Sequence, residues 1–296
     1  MQLSFLQSQG DQGCCLPYTV LAQFMQVLGD GGASIDVRID GAGSQIVVLL
    51  AGFPLTREIW DATAQRLATT HRVVRPELRG VRATVSADGP LLMESLAADV
   101  AAVLDALGAE RASIAGHSLG GYVALAFARM FTERVERLAL VCSRLAADAP
   151  EQAMRRKALA DGLERGTSDA LVDEYVPLLL SDVTKRERPE IVERVVEIVR
   201  AVDPRGAAAL LRGMALRSAS DDIAPELAMP ALVLAGGRDV VLGLEEARSI
   251  AAAFPDGTLA VAERSGHLPM LEEPAFASEA LSEWMGRMTP ASESGS

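Results

Sequence analysis

Residues Ser113 to Leu125 read SIAGHSLGGYVAL, and the fold turns on how this stretch is read. Apolar residues run up to Gly116, a serine follows His117, two more glycines come after Leu119, and then an alanine-rich amphipathic pattern begins. Small residues on both sides of Ser118 let a strand turn sharply into a helix and hold the serine oxygen above the end of a sheet. Leu119 then opens the helix, so its free backbone N–H faces any negative charge developing on a substrate oxygen. The pentapeptide Gly116-His117-Ser118-Leu119-Gly120 alone also suits an ordinary strand-to-helix turn, so its meaning depends on what the rest of the chain brings near it.

Outward from this turn, from Ser34 onward, short apolar runs alternate with longer amphipathic segments, as in an α/β protein with a mostly parallel twisted sheet flanked by helices. Strands are expected over 35–39, 46–50, 72–76, 112–115, 135–141, 231–235 and 258–262, and helices over 58–68, 93–107, 119–131, 244–254 and 274–288. The first two strands are expected to form an antiparallel hairpin at the sheet edge. Between Arg144 and Met229 the strand rhythm stops and four helix-like stretches replace it, near 151–164, 169–180, 189–202 and 207–216. The division expected is a core of residues 34–143 and 230–288, a helical cap inserted at 144–229 and a disordered tail over 289–296. Residues 1–33 are an N-terminal extension, either an appended helix with Leu21, Met25 and Leu28 on one face or a disordered segment ending at Gly29-Asp30-Gly31-Gly32.

The 296 residues are 49% hydrophobic and 23% charged, a composition of globular rather than disordered chains. A net charge of −12 with no basic cluster argues against a nucleic-acid partner. The segment 16–28 is too short for a bilayer, is interrupted by glutamines and has no preceding basic residue, so neither a signal peptide nor a membrane anchor is expected. Cys14, Cys15 and Cys142 have no zinc or disulfide spacing, which fits a reduced cytoplasmic setting. No metal is expected from the spacing of histidines and carboxylates, and no nucleotide from Gly41-Ala42-Gly43, which precedes its strand instead of following it.

In an open α/β sheet, only residues just after a strand meet at the binding crevice. Four segments qualify: Gly52-Phe53, Ser118, Asp239 after Gly236-Gly237-Arg238, and His267 after Glu263-Arg264-Ser265-Gly266. The serine–acid–histidine order is the one expected of this architecture. Three histidines are available as a base. His71 precedes its strand and belongs at the opposite edge, and His117 adjoins the serine with a diverging side chain, which leaves His267. Ser118 is thus the expected nucleophile, His267 its base and Asp239 the group that orients the imidazole, with Asp148 as the fallback acid.

Taken with Gly52-Phe53-Pro54, Leu78-Arg79-Gly80, the Gly-Gly-Arg-Asp segment and Ser265-Gly266-His267, the chain from Ser34 to Met288 resembles an α/β-hydrolase-fold serine hydrolase of the capped esterase, enol-lactonase-like and haloperoxidase-like groups. The resemblance implies a second oxyanion donor, the backbone N–H of Phe53, beside that of Leu119. It implies a carboxylic-ester hydrolase acting without a cofactor on a small-molecule ester or lactone, with a lactonase or perhydrolase as alternatives and a non-catalytic binding protein of the same fold as a remote one. A homo-oligomer stays open. Two departures stand out: Ala51 replaces the histidine usual before the oxyanion-loop glycine, and Glu77 and Val81-Arg82-Ala83-Thr84 replace the usual residues around Leu-Arg-Gly. Leu55, His117 and Leu268 beside the triad, with Leu145, Tyr175 and Met214 from the cap, are the expected lining of a largely apolar substrate pocket.

Overall fold

A computed structural model describes residues 22–82, 89–164 and 166–287. Its centre is one eight-stranded sheet of β1 (Gln23–Leu28), β2 (Ser34–Asp40), β3 (Ile46–Leu50), β4 (Arg72–Pro76), β5 (Ala112–His117), β6 (Val135–Val141), β7 (Ala231–Gly236) and β8 (Gly257–Ala262). The strand order is β1-β2-β4-β3-β5-β6-β7-β8. β2 runs antiparallel to both β1 and β4, and all pairs from β4 to β8 are parallel. β3 and β7 are buried at every position, which is why they read as unbroken apolar runs instead of alternating.

Helices α1 (Asp61–Leu67), α2 (Met93–Ala106), α3 (Leu119–Met130), α9 (Leu244–Ala253), α10 (Pro269–Glu272) and α11 (Pro274–Gly286) accompany the sheet. Between β6 and β7 come α4 (Pro150–Leu163), α5 (Asp169–Leu179), α6 (Asp182–Glu187), α7 (Pro189–Arg200) and α8 (Pro204–Leu216). β6 and β7 are hydrogen-bonded neighbours, so this helical insertion leaves and re-enters a single sheet between adjacent strands. On α7 the apolar face Ile191, Val195, Ile198 and Val199 is buried, followed by Val202 just past its end. The short α6 was hidden among charged residues, and its start is signalled by Ser181, whose hydroxyl accepts from the Thr184 amide at 3.1 Å.

Two expectations are corrected. Gln23–Leu28 is an edge strand, neither helical nor disordered: Met25 and Val27 turn inward while Phe24, Gln26 and Leu28 face out. The open edge of β2 offers a ladder of backbone partners along its whole length, which a short isolated helix has no counterpart for. Residues 1–21 and the tail 289–296 lie outside the described residues. Nor do β2 and β3 form a hairpin, because β4 lies between them. The connection crosses tightly over the start of β4, where a Cβ on Gly41 or Gly43 would overlap the carbonyls of His71 and Thr70.

Candidate active site

The parallel strands deliver four loops to one rim of the sheet, the carboxyl ends of β3, β5, β7 and β8. Ser118, between β5 and α3, has φ 49° and ψ −113°, a conformation that L residues avoid. It persists because the turn around it is over-determined. The Ser118 amide donates to Val141 O at 2.9 Å, and its carbonyl accepts from the Gly121 amide at 2.9 Å and the Ser143 hydroxyl at 2.8 Å. The flanking glycines are sterically required, since a Cβ on Gly116 would overlap the Gly120 backbone and one on Gly120 would lie 2.5 Å from Leu50 O.

At the ends of β7 and β8 the structure brings Asp239 and His267 together, Nδ1 to Oδ2 at 2.7 Å, with side chains 0% and 3% exposed. The other Asp239 oxygen accepts from the amides of Val241 at 2.7 Å and Leu242 at 3.1 Å, which fixes the carboxylate plane. Burial alone pushes the Asp239 carboxyl up, but the His267 imidazole and those two amides outweigh it, and the net shift is downward. An ionised acceptor at Nδ1 leaves Nε2 as the bare nitrogen of a neutral ring. Asp148 is engaged elsewhere, buried between Arg156 and Arg217.

His71 sits at the amino end of β4, remote from this rim, with Nδ1 at 2.8 Å from Thr70 Oγ1. His117 is fully buried beside the elbow: its Nε2 donates to His267 O at 2.8 Å, and the two rings meet edge-on at 4.9 Å. Its Nδ1 has no hydrogen-bond partner among the described residues and faces Gly52, where any Cβ would collide with it. Burial, reinforced by the neighbouring imidazole, holds the His117 pKa down to about 3. It is therefore a neutral brace between the β3 loop and the His267 loop.

Leu119 is the first residue of α3, so its N–H has no acceptor inside the helix. Phe53 is buried after β3, precedes a cis proline, and meets Tyr175 of α5 edge-on at 5.1 Å. Leu55, Leu145, Met214 and Leu268 are buried, Leu55 closing a turn onto Gly52 O at 2.9 Å and Met214 placing its sulfur 3.4 Å from Arg156.

The roles of three residues near the rim escape sequence reasoning. Glu272 of α10 is buried and accepts from the amides of Gly266 at 2.8 Å and Leu268 at 3.3 Å, on either side of His267, and from the Ser181 amide at 2.9 Å. The next residue, Glu273, holds the Arg264 amide and Ser265 hydroxyl. Cys142, at φ 47°, buries its thiol against Asp239, and burial followed by that charge raises its pKa well above the usual range. Among the described residues, Cys142, Asp239 and His267 bring metal-ligand donor types within 4.8 Å of one another. The thiol remains protonated, however, and the imidazole and carboxylate are occupied with each other.

Comparisons with known proteins agree with this architecture. The thermophilic esterase of Thermogutta terrifontis, solved with malate bound, superposes with a TM-score of 0.85 at 33% identity, over 89% of this chain and 98% of that one. The enol-lactonase of Burkholderia xenovorans shares the fold, with a TM-score of 0.82 at 22% identity over 89% of this chain and all of that one. Among curated sequences, 3-oxoadipate enol-lactonase 2 of Acinetobacter baylyi is 26% identical over 235 residues, 77% of this chain and 84% of that protein. An uncharacterized protein of Mycobacterium tuberculosis is 28% identical over 276 residues, covering 86% and 79%. The model of the alpha/beta hydrolase family matches residues 47–280, a span that takes in all four rim loops and the helical insertion, and the chain belongs to that family.

Proposed function

We propose that this hydrolase cleaves carboxylic esters through an acyl-enzyme, with Ser118 as nucleophile, His267 as general base and acid, and Asp239 orienting the imidazole. The observation that carries this reading is the buried 2.7 Å contact of His267 Nδ1 with Asp239, on the same rim as a serine held at φ 49°. His267 Nε2 takes the Ser118 proton as the oxygen attacks the acyl carbon, and returns it to the departing alkoxide. Water then repeats the sequence on the acyl-enzyme and releases the acid. The N–H groups of Leu119 and Phe53 stabilise the oxyanion at both stages. Both are backbone donors, so Ala51 removes a side-chain brace from this loop without removing a donor.

The helical insertion acts as the cap, with Tyr175 and Met214 facing the acyl group. Among the described residues no helix is long and apolar enough to cross a membrane. The reaction is placed in the cytoplasm as part of this proposal.

Ring opening of a lactone is the second reading, favoured by the curated enol-lactonase relative. A panel of nitrophenyl esters and small lactones, assayed on wild type and Ser118→Ala, tests both. Turnover and fluorophosphonate labelling lost only in the variant are the expected result, and lactones opening faster than open-chain esters would select the second reading. Equal hydrolysis by both proteins refutes the mechanism.

A further inference from the structure

Two arginines and one aspartate are buried together where the helical insertion meets the core. Arg156 of α4 reaches Asp148 with Nε at 2.5 Å, and Arg217, just past α8, reaches the other carboxylate oxygen at 3.3 Å. The three side chains are 12%, 3% and 4% exposed in the order Arg156, Asp148, Arg217. Among the described residues, the ion pairs of this cluster set one carboxylate against two guanidiniums, an excess of one positive charge. Arginine does not shed its proton, so this charge has no titration by which to disappear. Keeping it away from water is costly unless an anion arrives.

Donors are also to spare. Among the described residues the buried Nε of Arg217 has no hydrogen-bond partner, while its guanidinium lies 3.8 Å over the Tyr122 ring. One outer nitrogen of Arg156 meets the sulfur of Met214, a weak acceptor, at 3.4 Å, and the same guanidinium also bonds the Tyr175 phenol. The place matters as much as the charge. The partly buried Tyr175 feels both Arg156 and Asp148, and the Tyr175 ring packs edge-on against Phe53, whose N–H is the proposed oxyanion donor. The spare charge therefore stands one aromatic ring away from Phe53.

We infer that Arg156, with Arg217 behind it, forms a carboxylate subsite, and that the preferred substrates are esters or lactones whose acyl chain ends in a second, ionised carboxylate. The inference rests on the hydrolase reading for its reaction but not for its binding. Two N–H donors of a guanidinium match the two oxygens of a carboxylate, and the low-dielectric setting strengthens that pair. The anion would enter against a chain of net charge −12, so selectivity comes from this local cluster and not from the overall field.

The test compares nitrophenyl hemiesters of succinate, glutarate and adipate with neutral nitrophenyl esters of equal length, on wild type, Arg156→Met and Arg156→Lys. Wild type is expected to favour the anionic member, and Arg156→Met to lose about tenfold to hundredfold of that preference, read as the ratio of kcat/KM between the anionic and neutral ester of each pair within one variant. Arg156→Lys retains part of the preference. Should the methionine variant not fold, competitive inhibition of wild type by glutarate against glutaramide carries the same information, glutarate being expected to bind more tightly. Calorimetry of glutarate with Ser118→Ala separates this inference from the hydrolase reading. Glutarate binding in a protein whose wild type cleaves no ester supports the subsite and sinks the hydrolysis. Neutral and anionic esters cleaved equally by wild type, with no glutarate binding, overturn the subsite and leave the hydrolysis standing.

Discussion

Replacing Glu272 tests how His267, the proposed base, is held in place. Its carboxylate accepts from three backbone amides, those of Gly266, Leu268 and Ser181, at 2.8, 3.3 and 2.9 Å. Alanine strands all three donors in a region where Glu272 itself is only 5% exposed. Each orphaned buried donor costs about 1–3 kcal/mol. The Leu268 bond is long and water admitted to the vacated space repairs some of the rest, so the expected loss is about 3–5 kcal/mol. Glutamine keeps an oxygen for Gly266 and Leu268 but turns an amide nitrogen toward the Ser181 N–H, one donor lost, for about 1–3 kcal/mol. At about 2–4 °C per kcal/mol in chains approaching this size, the glutamine variant melts several degrees lower. His267 sits between the two released amides, so kcat falls about tenfold to hundredfold with KM little changed. Thermal melts and ester kinetics on both variants measure this. An alanine variant within about 0.5 kcal/mol of wild type and with unchanged kcat would refute the clamp.

Asp239→Asn keeps the shape at Nδ1 but removes the charge that favours the productive tautomer, and kcat is expected to drop by about 10³–10⁴-fold; a loss under about tenfold would remove Asp239 from the mechanism. For His117, held down to about 3 in the folded state against 6.5 in the open chain, the unfolded state takes up the proton first as pH falls. Its contribution is intact above pH 6.5 and is lost between 6.5 and about 3, at about 1.4 kcal/mol per pH unit. Urea melts of wild type and His117→Gln at pH 7, 5.5 and 4.5 should converge, and a constant gap would contradict the assignment.

The parallel part of the sheet was legible because strands buried on both faces are written as apolar runs, as at Ile46–Leu50 and Ala231–Gly236, and because the loops that follow them carry the polar residues. Asp239 and His267 could be paired on paper since both follow neighbouring parallel strands. The edge was harder to read. Met25 and Val27 alternate over too few residues to outweigh the three- and four-residue spacing of Leu21, Met25 and Leu28, and the partner that selects the strand is a separate segment. Glu272 was illegible for a related reason: its amide partners come from two distant places in the chain, the His267 loop and Ser181, and no spacing announces a carboxylate that binds backbone. Nor did Arg156 stand out, being one of several arginines on α4 and α8 whose burial depends on how those two helices pack.

The helical insertion enters and leaves between adjacent strands, an arrangement that invites chimaeras in which helices from a relative are grafted to change substrate range. The corner between α5 and α6 sets a condition on any such graft. Leu179 O accepts from the His267 amide at 3.0 Å, and the Ser181 amide reaches Glu272. Under the proposed mechanism, a transplanted segment that fails to restore those two backbone bonds would import a new selectivity while loosening the imidazole that serves it, and the choice of substrate and the rate of its conversion would then be inherited together.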